Sequence, residues 1–237
     1  MLKRALKKAF RSIGFDIRRY TPSAATVLER MLRTYAVDTI LDIGANVGQS
    51  GESFRLMGFS GQIVSFEPVS HLYEQLRIKA GSDPLWHVEK LALGRSSGRI
   101  EINVSGGHAG ASSILEMTDN VRTNAPDQRA VRKEQVEMTT LAAVLDKYYP
   151  RGDRCFLKID VQGYEKKVLE GGLDALHKVI GMKIEMSLVQ NYEGETLLTE
   201  MLPFLYGLGF RAVCFENGWE NNQTGELYQV DCILCRI

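Results

Sequence analysis

The run "ILDIGANVGQS", Ile40 to Ser50, constrains this chain more than any other stretch. Strand-forming residues from Thr39 to Ile43 lead into a turn carrying Gly44 and Gly48, and Gln49 to Met57 then takes up helical spacing. A second strand, Gln62 to Glu67, stops at Pro68. Ser70 to Lys79 reads as the next helix, with Ser70 a favourable capping residue, and Trp86 to Ala92 is a third strand. Strands alternating with helices of this length form right-handed βαβ units, which close into a mostly parallel, doubly wound α/β sheet.

A helical pattern at Thr26 to Tyr35 precedes this series. Beyond it, Leu141 to Tyr148 is a helix, Cys155 to Asp160 a strand, and Tyr164 to Leu169 a helix closed by Gly171 and Gly172. Val179 to Met186 is a strand and Thr196 to Leu208 a helix. Phe210 to Glu216 and Tyr228 to Ile237 read as an antiparallel hairpin at the sheet edge, making seven strands. Strand-like segments at Arg99 to Val104 and Gln135 to Thr139 flank a polar, Gly-rich and Ser-rich span, so residues 98–139 read as an insertion. A structureless connection that long in a compact domain is commonly functional, and a lid or substrate-recognition role is expected of it.

The chain has 237 residues, 44% of them hydrophobic, enough to bury the core of one large domain. Its 29 basic and 29 acidic residues argue against nucleic acid as a partner. The balance is uneven along the chain. Residues 1–20 carry seven basic groups against Asp16 alone, a net +6, which leaves −6 for the remainder. Leu2, Leu6, Ala9, Phe10 and Ile13 fall at helical spacing among those basic groups, so residues 2–13 read as a cationic amphipathic helix. Such an arm, residues 1–21, either docks on an anionic membrane surface or a protein partner, or packs on its own domain, residues 22–237. No apolar run is long enough to span a bilayer. The four cysteines do not resemble a disulfide framework, so the expected location is cytoplasmic, peripheral to the inner membrane if the arm docks there. Cys232 and Cys235 lie in a strand-like run, where residues three apart face opposite ways, and they read as buried thiols.

The chemistry of the turn is D-x-G-x-N-x-G: Asp42, Gly44, Asn46, Gly48. A dinucleotide fingerprint would place a third glycine where Asn46 stands, and Asp42 would set a negative charge beside a pyrophosphate. A carboxylate there suits a ligand with a cationic amine and no phosphate, and S-adenosylmethionine is such a ligand. Glu67, ending the second strand beside Pro68, is placed to accept hydrogen bonds from ribose hydroxyls. Asp42 and the missing central glycine argue against a nicotinamide-dependent oxidoreductase, which stays as one alternative. A non-catalytic scaffold that binds a partner through the basic arm is the other.

The blocks "ILDIGANVGQSGESF", "VSFEPVSHLYEQL", "GASSI", "TTLAAVLDKY", "FLKIDVQGYEKKVLEGG", "IGMKIEMSL" and "YEGETLLTEMLPFLYGLGF" occur in that order. With them the chain resembles the FkbM-type methyltransferases, a branch of the Rossmann-like class I enzymes that use S-adenosylmethionine. The resemblance covers about Thr39 to Phe210. It implies O-methylation of a hydroxyl on a sugar, a glycan or a secondary metabolite, with Ser112 and Ser113 of "GASSI" as candidate loop contacts to substrate or cofactor. The family's common K-I-D-V-E-G-A-E appears here as Lys158 to Glu165 with Gln162 in place of a carboxylate and Tyr164 in place of a small residue.

Ligands of open α/β sheets lie beyond the carboxyl ends of the strands, where Asp42, Glu67, Asp160 and Glu185 all fall. Asp160 and Glu185 are candidates for the general base or for orienting the acceptor hydroxyl, with His108 in the Gly-rich span as an alternative base. Two neighbouring carboxylates could also hold a divalent cation such as Mg²⁺, although no specific ligand pattern is present. Lys158, a charge inside a strand, is expected to pair with Glu185 or Glu165.

Overall fold

The computed structural model describes residues 12, 14, 23–106, 109–221 and 223–236. The amphipathic helix expected over residues 2–13 therefore lies outside the described residues, as does His108. In chain order the elements are α1 (Ala24–Thr34), β1 (Thr39–Ile43), α2 (Gln49–Leu56), β2 (Gln62–Phe66), α3 (Ser70–Ala80), β3 (Trp86–Glu89), β4 (Ala92–Gly94) and β5 (Gly98–Ser105). They continue with α4 (Asp119–Asn124), β6 (Ala130–Thr140), α5 (Leu141–Tyr148), β7 (Cys155–Ile159), α6 (Glu165–Glu170), β8 (Val179–Ser187), α7 (Leu198–Gly207), β9 (Phe210–Asn217) and β10 (Gln229–Arg236).

Seven strands form one sheet in the order β3-β2-β1-β7-β8-β10-β9. β1, β2, β3, β7 and β8 pair in parallel, and β10 runs antiparallel to both β8 and β9. The closing hairpin lies at the sheet edge as expected. Its second strand inserts beside β8, and β9 becomes the edge. β1 and β7 are buried along their whole length, because helices cover both faces of a parallel sheet. One face packs Ile40, Ile63, Phe156 and Ile233 against Leu28 of α1, Phe54 of α2 and Leu76 of α3. The other packs Leu41, Val64, Leu157 and Ile184 against α5, α6 and α7. Cys232 belongs to one face and Cys235 to the other, both as free, buried thiols.

The strand expected over Trp86 to Ala92 divides in two. β3 stays with the main sheet, while β4 joins β6 and β5 in a three-stranded sheet. This second sheet packs Ile102, Val104 and Val136 against Val69 and Leu72 at the start of α3. Ser70 does not cap α3: Val69 is the cap residue, and the Ser70 hydroxyl and backbone N–H both donate to Glu134 of β6. A carboxylate at a helix N-terminus is favourable, and here it fastens the small sheet to the start of α3.

The span expected to serve as a lid or in substrate recognition is hydrogen-bonded to its neighbours where it is described. Asn103 and Ser113 exchange backbone hydrogen bonds of 2.8 and 3.1 Å, the Asn103 side chain donates to the Leu115 carbonyl, and Glu193 N–H donates to the Glu116 carbonyl.

Candidate functional site

The chain turns back across the sheet between β1 and β7, which places the switch-point crevice beyond Ile43 and Ile159. Gly44 follows the first strand with φ +78°, and a Cβ there would lie 1.8 Å from the Asp160 carbonyl oxygen. Glycine is therefore required by both space and conformation. Asn46 also adopts a left-handed φ of 52°, which asparagine tolerates better than most residues. Its side chain accepts from Val47 N–H at 2.7 Å. Gly48 precedes α2 with no side-chain cap, and Gln49 and Ser50 of its first turn line the crevice.

A cleft opens here, walled by Gly44 to Asn46, Gln49, Ser50, Glu67, Pro68 and the Lys158–Gln162 segment. Leu72, Leu91, Leu93, Ile102 and Ile114 close it with an apolar end contributed partly by the small sheet. Glu67, 5% exposed, accepts Asn46 N–H at 2.9 Å and Val69 N–H at 2.8 Å. Burial raises its carboxyl to about 7, against the pull of these two donors.

Asp42 is placed differently from the sequence expectation. It is wholly buried beneath the turn and does not line the cleft, so the direct ligand contact expected of it is corrected. The cation it meets is internal: Lys158 Nζ lies 3.6 Å from its Oδ1, 3.3 Å from Asp160 Oδ2 and 3.1 Å from the Gly44 carbonyl it donates to. Asp42 Oδ2 accepts from Ser65 Oγ at 3.1 Å, and Ser65 in turn accepts from Trp86 Nε1 at 3.0 Å. Oδ1 has no hydrogen-bond partner among the described residues. Burial alone would lower Lys158, but Asp160 and Asp42 outweigh it and hold the ammonium above the ordinary lysine value. Burial raises Asp42 as well, opposed by Lys158. The two directions conflict across one pair. An ammonium facing two carboxylates, one of them partly solvated, is the more firmly charged partner. Lys158 thus pairs with Asp42 and Asp160 rather than with Glu185 or Glu165.

Asp160 does line the cleft, and its side chain is 33% exposed. Glu185 does not line it: its Oε2 accepts from Gln162 Nε2 and from Gln229 Nε2, each at 2.8 Å. Burial and the nearby Asp160 raise its carboxyl well above the usual range. Away from the cleft and engaged by two amides, it is not placed to act as the general base or to orient the acceptor, the roles expected of it. Gln162 is the residue whose importance the sequence underplayed. With φ 56° it donates to Asp160 Oδ1 at 2.7 Å as well as to Glu185, while its Oε1 accepts from Tyr192 OH at 2.7 Å. A carboxylate at this position would bring a third acid against two others and offer no donor.

Ser112 lines the cleft and accepts from Ser105 N–H. Ser113 is buried and donates to the Gln162 carbonyl at 2.6 Å, latching the insertion to the end of β7 instead of contacting ligand. Glu165 is buried and accepts Val161 and Gly163 N–H, with its carboxyl raised to about 7 by burial. Among the described residues no cluster of three or more His, Cys, Asp or Glu side chains is arranged to hold a metal ion. No helix among them is long and apolar enough to cross a membrane.

The donor set fits an amino-acid-bearing nucleoside. Glu67 presents carboxylate oxygens for ribose hydroxyls, the uncapped α2 N-terminus suits a carboxylate, and the apolar end suits a purine. Over residues 42–212 the sequence matches the family described as Methyltransferase FkbM domain. Among curated protein sequences, none matches this chain. Solved structures of similar course include Burkholderia thailandensis 1,6-didemethyltoxoflavin-N1-methyltransferase with bound 1,6-didemethyltoxoflavin and S-adenosylhomocysteine. It aligns at TM-score 0.48 and 10% identity over 99% of this chain and 87% of its own. An rRNA methylase from Streptococcus thermophilus aligns at TM-score 0.48 and 11% identity over 93% of this chain and 99% of its own. TehB from Haemophilus influenzae aligns at TM-score 0.49 and 6% identity over 92% and 64% respectively.

Proposed function

This chain belongs to the FkbM methyltransferase family, whose cofactor is S-adenosylmethionine, and from that premise we propose that it methylates a hydroxyl of a sugar, a glycan or a secondary metabolite, with Asp160 receiving the hydroxyl proton. The observation that carries this reading is the placement of Glu67 and Asp160 on one cleft at the switch point. Glu67 serves the ribose, and Asp160, which lines the same cleft, is held by Lys158 and Gln162. When bound, S-adenosylmethionine supplies an electrophilic methyl group on a sulfonium.

The chain's own residues do the rest. Gln49 and Ser50 backbone N–H groups receive the amino-acid carboxylate, while Leu72, Leu93 and Ile102 exclude water from the base. Asp160 holds the acceptor hydroxyl and takes its proton as the methyl carbon passes from the sulfonium sulfur to the hydroxyl oxygen, the carbon–sulfur bond breaking to leave S-adenosylhomocysteine. The net +6 of residues 1–20 suits docking of this arm on an anionic membrane surface or an acidic partner.

Calorimetry with S-adenosylhomocysteine, followed by labelled-methyl transfer to cell-envelope glycans and polar metabolites, tests the reading. Wild type and Asp160→Asn should both bind S-adenosylhomocysteine, Glu67→Ala should bind it at least about tenfold more weakly, and Asp160→Asn should lose transfer. Absence of binding, or label recovered on nitrogen or carbon, would overturn it.

A further inference from the structure

A second cleft lies on the far side of Asp160 and shares four residues with the first: Gln49, Ser50, Lys158 and Asp160. Its floor is the sheet face carrying Lys183 of β8, Glu216 of β9 and Asp231 of β10, and its walls are Leu28 of α1 with Phe54 and Met57 at α2. An acceptor must reach the methyl donor from a direction the donor does not fill, and this cleft adjoins it through the one carboxylate both clefts expose.

Charge decides what can enter. Lys158 lies between Asp42 and Asp160, and Lys183 lies between Asp231 at 3.0 Å and Glu216 at 3.2 Å. Each ammonium of the cleft is already shared by two carboxylates, so among the described residues two lining cations stand against three lining acids, Asp160, Glu216 and Asp231, with Asp42 buried behind Lys158. Among the described residues a phosphate or carboxylate on the acceptor would find no uncommitted cation and would face a net negative wall, which costs affinity through like-charge juxtaposition. Hydroxyls suit this floor, since each can donate to a carboxylate lone pair and accept from a lysine N–H. The apolar walls suit the C–H face of a ring.

We infer that this second cleft is the acceptor site and that its paired lysines select an uncharged polyhydroxylated ring while excluding phosphorylated and carboxylated ones. The inference rests on the methyltransferase reading above and adds which cleft takes the acceptor and what charge it tolerates.

The test is saturation-transfer NMR on the protein loaded with S-adenosylhomocysteine. The probes are a panel of neutral methyl glycosides, each set against its sugar phosphate and its uronic acid. At least one neutral glycoside should show transfer, at least about tenfold tighter than its anionic counterparts. Asp231→Asn should weaken it about tenfold, and Glu216→Lys, on a side chain 45% exposed, should bring a sugar phosphate up by at least about fivefold. Tighter binding of any anionic probe by the wild type, silence from every neutral glycoside, or variants without effect would each overturn the inference. Calorimetry with S-adenosylhomocysteine on the same samples separates the two failures. If that ligand binds and the glycosides do not, only the assignment of the second cleft falls; if neither binds, the methyltransferase reading falls with it.

Discussion

Replacing Lys158 by Met removes one ammonium and leaves the chain length of the side chain nearly unchanged, so the cost is mainly electrostatic. Lys158 is 9% exposed, and Asp42 beneath it is fully buried. Without Lys158, Asp42 Oδ1 has neither a hydrogen bond nor a counter-ion, the Gly44 carbonyl loses its 3.1 Å donor, and Asp160 loses one of its two partners. Breaking one side of a buried pair costs about 3–5 kcal/mol, because a desolvated charge is left uncompensated. For a domain of this length each kcal/mol is worth about 2–4 °C, so the melting temperature should fall by about 6–20 °C.

Urea unfolding of Lys158→Met, Asp42→Asn and the double variant at pH 7.5 reads this directly. The double variant should recover about 1–3 kcal/mol relative to the sum of the singles, since the amide introduced by Asp42→Asn carries no charge and can keep the Ser65 contact. The sign of the pH dependence follows from burial. Asp42's carboxyl already lies above its unfolded value and rises further without Lys158. The folded Lys158→Met variant therefore binds a proton the unfolded chain has released, and its deficit grows as pH rises from about 4 and shrinks on return to it. A loss below about 1 kcal/mol, the range of a solvent-exposed pair, or strict additivity in the double variant would refute the reasoning.

Glu67, raised to about 7, contributes stability that is full below about pH 4.3 and is lost as pH rises toward 7; Glu67→Gln should flatten that slope in thermal melts. If only the ionised carboxylate accepts the ribose hydroxyls, wild-type affinity for S-adenosylhomocysteine should rise about tenfold between pH 6 and 8, and that of Glu67→Gln should not. Gly44→Ala, with its Cβ against the Asp160 carbonyl, should lose about 3 kcal/mol or more in urea and bind no S-adenosylhomocysteine; wild-type behaviour would contradict the close approach of the two turns. Gln162→Glu replaces the donor between Asp160 and Glu185 by an acid. It should destabilise by about 1–3 kcal/mol at pH 8 and by less at pH 5, measured by thermal unfolding.

By itself the sequence determined the alternation of strands and helices, the need for glycine at the turn after β1, and an acid at the end of β2. These are legible because they are local. A period of 3.6 or 2, a positive φ and a proline stop each leave a mark within a few residues. What the tertiary structure decided is who meets whom. It set β10 between β8 and β9, turned Asp42 away from the cleft onto Lys158, made Gln162 the donor between two acids, and sent the Ser113 hydroxyl to a backbone carbonyl. It also brought α1, α2 and four strands together around a cleft that no single segment announces. Such partners are far apart in the chain, and a charged residue inside a strand says only that it needs a counter-charge. Which carboxylate supplies it is fixed by strand order and register, and those emerge only when both faces of the sheet are packed.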